Sequence, residues 1–173
     1  RSDYVEMLRE RSRKQNQYIV SGFHEKDGSE LFNTSLFISP NGKIGKYRKI
    51  HLFMNEKQVF SKGNLGLPIF QTDDFTMGML ICFDYLFPEV WRIMALKGAD
   101  FIAHPSNLVT YKAFKVVPAQ AIINRFFIFT KLRIGIAFIV VFICCSTILK
   151  SINGFLILFV FIMRCSLPLF VIK

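Results

Sequence analysis

Residues 77–107 contain the feature that most restricts how this chain can fold, two short apolar segments on either side of an amphipathic pattern. The first segment ends at Cys82 and is too short to cross a membrane, so we expect a buried strand. The helix is predicted to begin near Pro88 and to end at Gly98. A second buried strand, 101–103, follows and stops before a proline. This order is typical of an α/β crossover unit, in which reactive groups collect at the carboxyl ends of the strands.

The other predicted elements place this unit inside a larger sheet structure. Asp27-Gly28 and Pro40-Asn41-Gly42 predict two hairpin turns. In chain order, the further expectations are a surface helix 4–15, strands 18–20, 31–39 and 43–47, a helix 111–125 interrupted by Pro118, and a strand 126–130.

The net charge of +10 does not come from a clustered basic stripe. Residues 1–50 hold ten Lys/Arg and six Asp/Glu, and residues 51–100 hold four and six. Residues 101–173 hold eight Lys/Arg and no carboxylate. Because the excess reflects missing acids in the last segment, we predict no nucleic-acid partner. The length of 173 residues suggests a single domain.

The four cysteines predict neither a disulfide framework nor a metal site. Cys82 stands alone, and the other three, Cys144, Cys145 and Cys165, lie in an apolar tail without metal-ligand spacing. Reduced thiols in the cytoplasm fit this pattern. A lone cysteine at a strand end is more often inert packing than a nucleophile, so Cys82 alone decides nothing.

Two longer motifs change this balance. LICFDYLFPE, followed by ALKGAD and HPSN, resembles the nucleophile region of the nitrilase superfamily of carbon–nitrogen hydrolases. GKYRKIHLF resembles the lysine motif of that family and precedes Cys82 in the expected order, with Lys49 lying 33 residues before the cysteine. The resemblance extends over about residues 3–135 and implies a partial nitrilase-type α-β-β-α sandwich.

The resemblance also implies a chemistry, the hydrolysis of an amide or nitrile through a cysteine thioester. Cys82 would attack the substrate, and Lys49 with the backbone N–H of Phe83 would stabilise the oxyanion. Lys49 would also lower the pKa of the thiol. Glu56 matches the second glutamate of the pocket, and Asn107 borders it. No cofactor or metal is implied; the expected partners are a small-molecule amide or nitrile and, in the full-length protein, further copies of the chain.

The general base of the family is a glutamate upstream of the lysine motif, which in this numbering falls before Arg1. The resemblance therefore predicts that the chain as given is inactive. Two other functions stay open, a non-catalytic remnant that binds a partner through exposed sheet edges, and a membrane-anchored protein.

The residues themselves leave alternatives open at most of these positions. Lys49 belongs to a basic run that by itself predicts a solvated edge, and Glu56 could equally be an exposed loop acid. Glu89 is expected to stabilise a helix start. His104 either borders the pocket or is a satisfied buried histidine. His51 and His24 belong to no recognisable catalytic constellation.

Residues 136–173 form an apolar tail outside the resemblance, and they contain no Asp, Glu or Gln. One interpretation is a membrane hairpin of two uncharged segments, 134–149 and 155–163, both shorter than a bilayer requires. The other is that the tail is read-through or frameshifted coding sequence, which we favour. We therefore predict a carbon–nitrogen hydrolase domain over 1–135 and a tail of unassigned structure.

Overall fold

The computed structural model describes residues 2–107, 111–134, 137–143 and 169–172. Four α-helices lie in this part of the chain: α1 (Ser2–Gln15), α2 (Glu56–Val59), α3 (Pro88–Leu96) and α4 (Ala113–Asn124). The strands are β1 (Tyr18–Asp27), β2 (Glu30–Ile38), β3 (Ile44–Arg48), β4 (Ile69–Gln71), β5 (Thr76–Met79), β6 (Phe101–Pro105), β7 (Phe127–Ile134), β8 (Ala137–Ile143) and β9 (Leu169–Ile172). A 3-10 turn, Cys82–Leu86, connects β5 to α3.

The strands form two sheets. The first has the order β3-β2-β1-β9 and is antiparallel throughout. The second has the order β4-β5-β6-β7-β8, with a parallel centre of β5, β6 and β7 and an antiparallel strand at each edge. The crossover unit predicted from the sequence therefore lies in the parallel centre of the second sheet.

Alternation along the strands of the first sheet determines which side chains enter the core. Val20 and Phe37 belong to the cluster that also contains the core residues of the second sheet, whereas their neighbours Ile19 and Ile38 pack with Leu8 of α1. Such a period of two is the pattern of a sheet with both faces covered. Helices α3 and α4 add Trp91, Met94, Val117 and Ala121 to the main cluster. The result is the predicted α-β-β-α sandwich.

The crossover unit differs from its prediction at both strand ends. β5 ends at Met79, before Cys82, because Cys82 has a φ of 44° and begins the 3-10 turn. β6 continues to Pro105. Its pairing with β5 ends at Ala103, so the missing N–H of Pro105 removes no ladder bond on that side. Gly98, with a φ of 82°, follows the end of α3 as predicted.

The second half of the chain also departs from its predicted bounds. α4 continues through Pro118, and β7 extends to Ile134. β8 pairs with β7, and β9 pairs with β1, so parts of the tail belong to the two sheets. The apolar segment 134–149 includes β8, whereas 155–163 lies outside the described residues. In the part of the chain that is described, no helix is long and apolar enough to cross a bilayer. The domain boundary at Gly135 stays a prediction.

Candidate active site

The candidate site lies where both sheets present the ends of their strands. Cys82 follows β5, Asn107 follows β6, and Lys49 follows β3 of the first sheet. The Sγ atom of Cys82 lies 3.7 Å from the backbone oxygen of Asn107. Neighbouring parallel strands end at the same edge of a sheet, which is why residues 25 positions apart meet here.

The backbone of Cys82 has an unusual conformation. Its φ of 44° lies in the left-handed region, which for a residue other than glycine costs of order 1–3 kcal/mol. The preceding segment is held to β6, because the N–H of Leu80 donates to the carbonyl of Ala103 at 3.1 Å. The surrounding structure therefore compensates for a strained turn that positions the thiol at the strand end.

The pKa of the Cys82 thiol is raised, mainly because burial disfavours the thiolate. The positive charge of Lys49 and the contact with Asn107 lower it, and the negative charges of Glu56 and Asp84 raise it further. The lysine thus acts in the predicted direction, but burial outweighs it, and the net pKa is raised. A predominantly neutral thiol needs a base to become a nucleophile.

Lys49 is a buried cation with a carboxylate partner. Only 1% of the residue is exposed, and its Nζ lies 2.6 Å from Oε2 of Glu56. Its backbone is held on both sides, since its N–H donates to the carbonyl of Asn33 at 2.8 Å and its carbonyl accepts from the N–H of Gly63 at 2.9 Å. The structure therefore brings together Lys49 and Glu56, two of the three predicted catalytic residues.

Glu56 is held by more than the lysine. Its Oε2 also accepts from the backbone N–H of Phe53 at 2.7 Å, and its Oε1 accepts from the side-chain amide of Asn33 at 3.0 Å. A carboxylate that accepts from three donors is held in one orientation, unlike an exposed loop acid. That alternative for Glu56 is therefore wrong.

The basic run that contains Lys49 is not uniformly solvated, since Lys43 is exposed but Arg48 and Lys49 are buried. Arg48 is 3% exposed, and its guanidinium makes a bidentate pair with Glu25, contacts Asp27 at 2.7 Å and lies over the ring of Phe32. The Nζ of Lys46 lies 2.6 Å from Oε1 of Glu25. These partners, Arg48 first, lower the pKa of Glu25 to about 2. The sequence did not reveal this ion cluster because its acids lie on another strand.

Asp84 is the main residue of the site that the sequence analysis missed. It is fully buried, and its carboxylate accepts from the hydroxyl of Tyr47 at 2.8 Å and from the N–H of Ile81 at 2.9 Å. It also accepts from the backbone N–H of His51 at 3.1 Å and contacts Nδ1 of His51 at 2.9 Å. Asp84 thus ties the segment around Lys49 to the segment around Cys82. The sequence signal that could have indicated it is a single acid within an otherwise apolar segment.

His51, for which the sequence indicated no catalytic constellation, contacts residues of the site. Besides its contact with Asp84, its ring stacks on Phe87 with centroids 3.6 Å apart. Phe83, predicted to border the substrate, packs against Phe53 at 4.8 Å and Phe87 at 5.6 Å. Glu89 lies in the first turn of α3, as predicted.

His104 is the satisfied buried histidine of the two alternatives, and it also contacts the site. It has no exposed surface, and its Nδ1 lies 3.0 Å from the hydroxyl of Thr130. Its Nε2 lies 2.9 Å from the backbone oxygen of Cys82. Burial lowers the pKa of His104 to about 4, so the imidazole is neutral at physiological pH. Among the described residues, no group of three or more His, Cys, Asp or Glu is placed to hold a metal ion.

The comparisons with known proteins agree with this geometry. The family model of carbon–nitrogen hydrolases matches residues 1–152. A nitrilase of Pyrococcus abyssi is 49% identical over 118 residues, which are 68% of this chain and 45% of the relative. A beta-ureidopropionase of Arabidopsis thaliana is 32% identical over 143 residues, 76% of this chain and 35% of that protein.

Solved structures that are similar to this chain include a carbon–nitrogen hydrolase and an amidase. The crystal structure of a carbon–nitrogen hydrolase from Helicobacter pylori G27 superposes with a TM-score of 0.71 and 25% identity, over 79% of this chain and 52% of that one. An amidase from Nesterenkonia sp. superposes with a TM-score of 0.70. The chain spans about half the length of these structures and less than half of the curated relatives.

Proposed function

The chain belongs to the carbon–nitrogen hydrolase family, and on this premise we propose that it hydrolyses a non-peptide carbon–nitrogen bond of a small amide or nitrile through a thioester on Cys82. The observation that carries this proposal is the pairing of a thiol at a strained turn with a Lys49–Glu56 ion pair in which the lysine is buried and whose charges act on the sulfur. A purely structural cysteine needs no such partners. Self-association stays a prediction of the resemblance, and a cytoplasmic location stays a prediction of the cysteine pattern.

For an amide the reaction has two stages. The thiolate of Cys82 attacks the carbonyl carbon, the carbon–nitrogen bond breaks, and the nitrogen leaves as ammonia or an amine after taking up a proton. Water then attacks the thioester carbonyl, the carbon–sulfur bond breaks, and the products are a carboxylic acid and the regenerated thiol. Lys49 and the backbone N–H of Phe83 would stabilise the oxyanion in both stages.

The raised pKa of Cys82 makes the general base essential to the first stage. Glu56 already accepts three hydrogen bonds, one of them from Lys49, and this arrangement favours a role in orienting the lysine. The family resemblance places the base on a glutamate upstream of the lysine motif. We therefore expect no ammonia release from amides by the 173-residue chain.

Acylation by an activated ester tests the nucleophile without requiring a protonated leaving group. We expect p-nitrophenyl acetate to transfer one acetyl group to Cys82, detected by intact mass and peptide mapping and removed by hydroxylamine. Because the thiol pKa is raised from its ordinary value of 9.0, the acylation rate should keep rising as pH increases through 9. The Cys82→Ala variant is the negative control.

A variant with alanine at Cys144, Cys145 and Cys165 should still be acylated at Cys82. Preferential labelling of those three cysteines in the folded protein would contradict the proposal. Ammonia release by the 173-residue chain, abolished by Cys82→Ala, would confirm the hydrolase activity but would overturn the assignment of the base, and Glu56 and Glu89 would then be the residues to test.

A further inference from the structure

The contact between His104 and Cys82 concerns the peptide group that follows the nucleophile. The carbonyl oxygen of Cys82 and the N–H of Phe83 belong to the same peptide plane. In a trans peptide these two groups point in opposite directions, and the residues described here contain no cis peptide bond. Any group that holds the Cys82 oxygen therefore also sets the direction of the Phe83 N–H.

The hydrogen-bond geometry determines which nitrogen of His104 carries the proton. A carbonyl oxygen only accepts, so Nε2, at 2.9 Å from the Cys82 oxygen, must be the N–H donor. Nδ1 of the neutral ring then accepts from the hydroxyl of Thr130. Ser106 fits the same assignment, since its hydroxyl donates to the His104 carbonyl at 3.1 Å and its oxygen lies 3.0 Å from Nε2.

The ring itself is fixed on several sides. His104 is fully buried in β6, between β5 and β7, and Trp91 of α3 packs against it edge-on with centroids 5.5 Å apart. A donor held this rigidly restrains a backbone that would otherwise relax from the left-handed conformation of Cys82.

From these contacts we propose that His104, as the neutral Nε2–H tautomer, is a positioning residue that holds the Cys82–Phe83 peptide plane with the Phe83 N–H directed at the developing oxyanion. The proposal rests on the proposed function, because an oxyanion forms only if Cys82 attacks a carbonyl. The hydrogen bond to the Cys82 oxygen also polarises the peptide and makes the Phe83 N–H a stronger donor. His104 itself does not contact the substrate in this proposal.

The structural part of the proposal, the hydrogen bond from His104 to the Cys82 oxygen, is tested by NMR of the full chain and needs no activity measurement. Labelling with ¹⁵N-histidine should show His104 as the Nε2–H tautomer. His104→Phe, which keeps a ring against Trp91 but has no donor, should shift the Phe83 amide resonance, and His104→Gln, which offers an amide N–H, should return it toward the wild-type position. An Nδ1–H tautomer, or a Phe83 amide that does not respond, would overturn the proposal.

The functional part is tested by comparing two reactions of Cys82. Acylation by p-nitrophenyl acetate forms an oxyanion, whereas alkylation by iodoacetamide displaces iodide from a saturated carbon and forms none. His104→Phe should lower the acylation rate about 10- to 100-fold more than the alkylation rate, and His104→Gln should restore most of the loss. His24→Phe, at an exposed histidine of β1 whose ring packs against Phe60, is the matched control and should change neither rate.

Equal losses of both rates in His104→Phe would indicate general damage to the fold and contradict the positioning role. If wild-type Cys82 is alkylated but not acylated while the NMR response is as expected, the proposed hydrolase function fails and only the structural role of His104 is retained. The two failures are therefore distinguishable.

Discussion

At the scale of single residues, the side chains of β3 and of the position just beyond its end alternate between the two faces of the sheet. This alternation gives the cations of one basic run two different sets of partners. Lys46 and Arg48 both reach Glu25, whereas Tyr47 contacts Asp84 and Lys49 contacts Glu56. Adjacent residues of a strand point to opposite faces. The run therefore contributes Lys46 and Arg48 to a structural ion cluster, and it contributes Lys49 to the candidate site.

This separation predicts different effects from two similar substitutions. Lys49→Ala should lower the rate of Cys82 acylation by p-nitrophenyl acetate by about 10²–10³, the loss that follows removal of one oxyanion donor. Lys46→Ala should leave the rate within about twofold, because its partially exposed ion pair contributes little. Stopped-flow measurement of p-nitrophenolate release and a thermal melt of each variant check this. Similar losses from both would mean that the run acts only through its total charge.

At the scale of elements, the segment that carries Lys49 is held against the loop after α2. The N–H of Gly63 donates to the Lys49 carbonyl, and a Cβ at Gly63 would lie 2.0 Å from the backbone oxygen of Arg48. No side chain fits at that distance, so the glycine is required for the close approach of two backbone segments. The position of the lysine thus depends on a residue 14 positions away in the sequence.

Substitution at this glycine should affect the site and the fold together. Gly63→Ala should force the two segments apart, lower the unfolding free energy by about 1–3 kcal/mol and slow the acylation of Cys82. Chemical denaturation and the ester assay measure the two effects. Ser61→Ala is the control, because it lies in the same loop and keeps the backbone N–H of Ser61, which donates to the carbonyl of Leu31. A Gly63→Ala variant as stable and as reactive as the wild type would contradict the packing argument.

At the scale of the whole molecule, ionised groups held between elements link stability to pH. Glu25 of β1 pairs with Arg48 and Lys46 of β3, and Thr34 of β2 donates to it at 2.8 Å. The first three strands are thereby tied together by one carboxylate. Its pKa of about 2 in the folded protein, against an ordinary value of 4.5, makes that stabilisation complete above pH 4.5, and it is lost as pH falls through 2.

The pH dependence gives a direct test of this cluster. Glu25→Gln should lower the Tm at pH 7, and the difference from wild type should shrink as pH falls from 4.5 toward 2, where the wild-type carboxylate becomes protonated. Thermal melts at a series of pH values measure it. Glu30→Gln alters an exposed acid of the same hairpin and should give a Tm close to wild type throughout. Parallel curves for Glu25→Gln and wild type would show that the ion cluster contributes no pH-dependent stability.

Local patterns predicted several elements of the fold and two of the chemical residues, although α2, β4, β8 and β9 were not predicted. The β-rich composition of residues 31–39 and the helical pattern after Pro88 predicted β2 and α3 closely, because both signals lie within a single element. The motifs around Lys49 and Cys82 indicated the family from their order in the chain alone. Strand ends were less accurate, since the end of β5 depends on the left-handed turn at Cys82 and not on its apolar residues.

The tertiary structure alone decided the electrostatic state of the site. Whether Lys49 or burial controls the thiol pKa depends on how much water the fold removes from Cys82, and no local pattern encodes that quantity. The contact of His51 with Asp84, 33 residues apart, and that of His104 with Cys82, 22 residues apart, likewise exist only once the two sheets and their connecting segments have packed. Sequence periodicity specifies which face of an element is buried, but only long-range packing determines which polar groups meet there and which of them lose water.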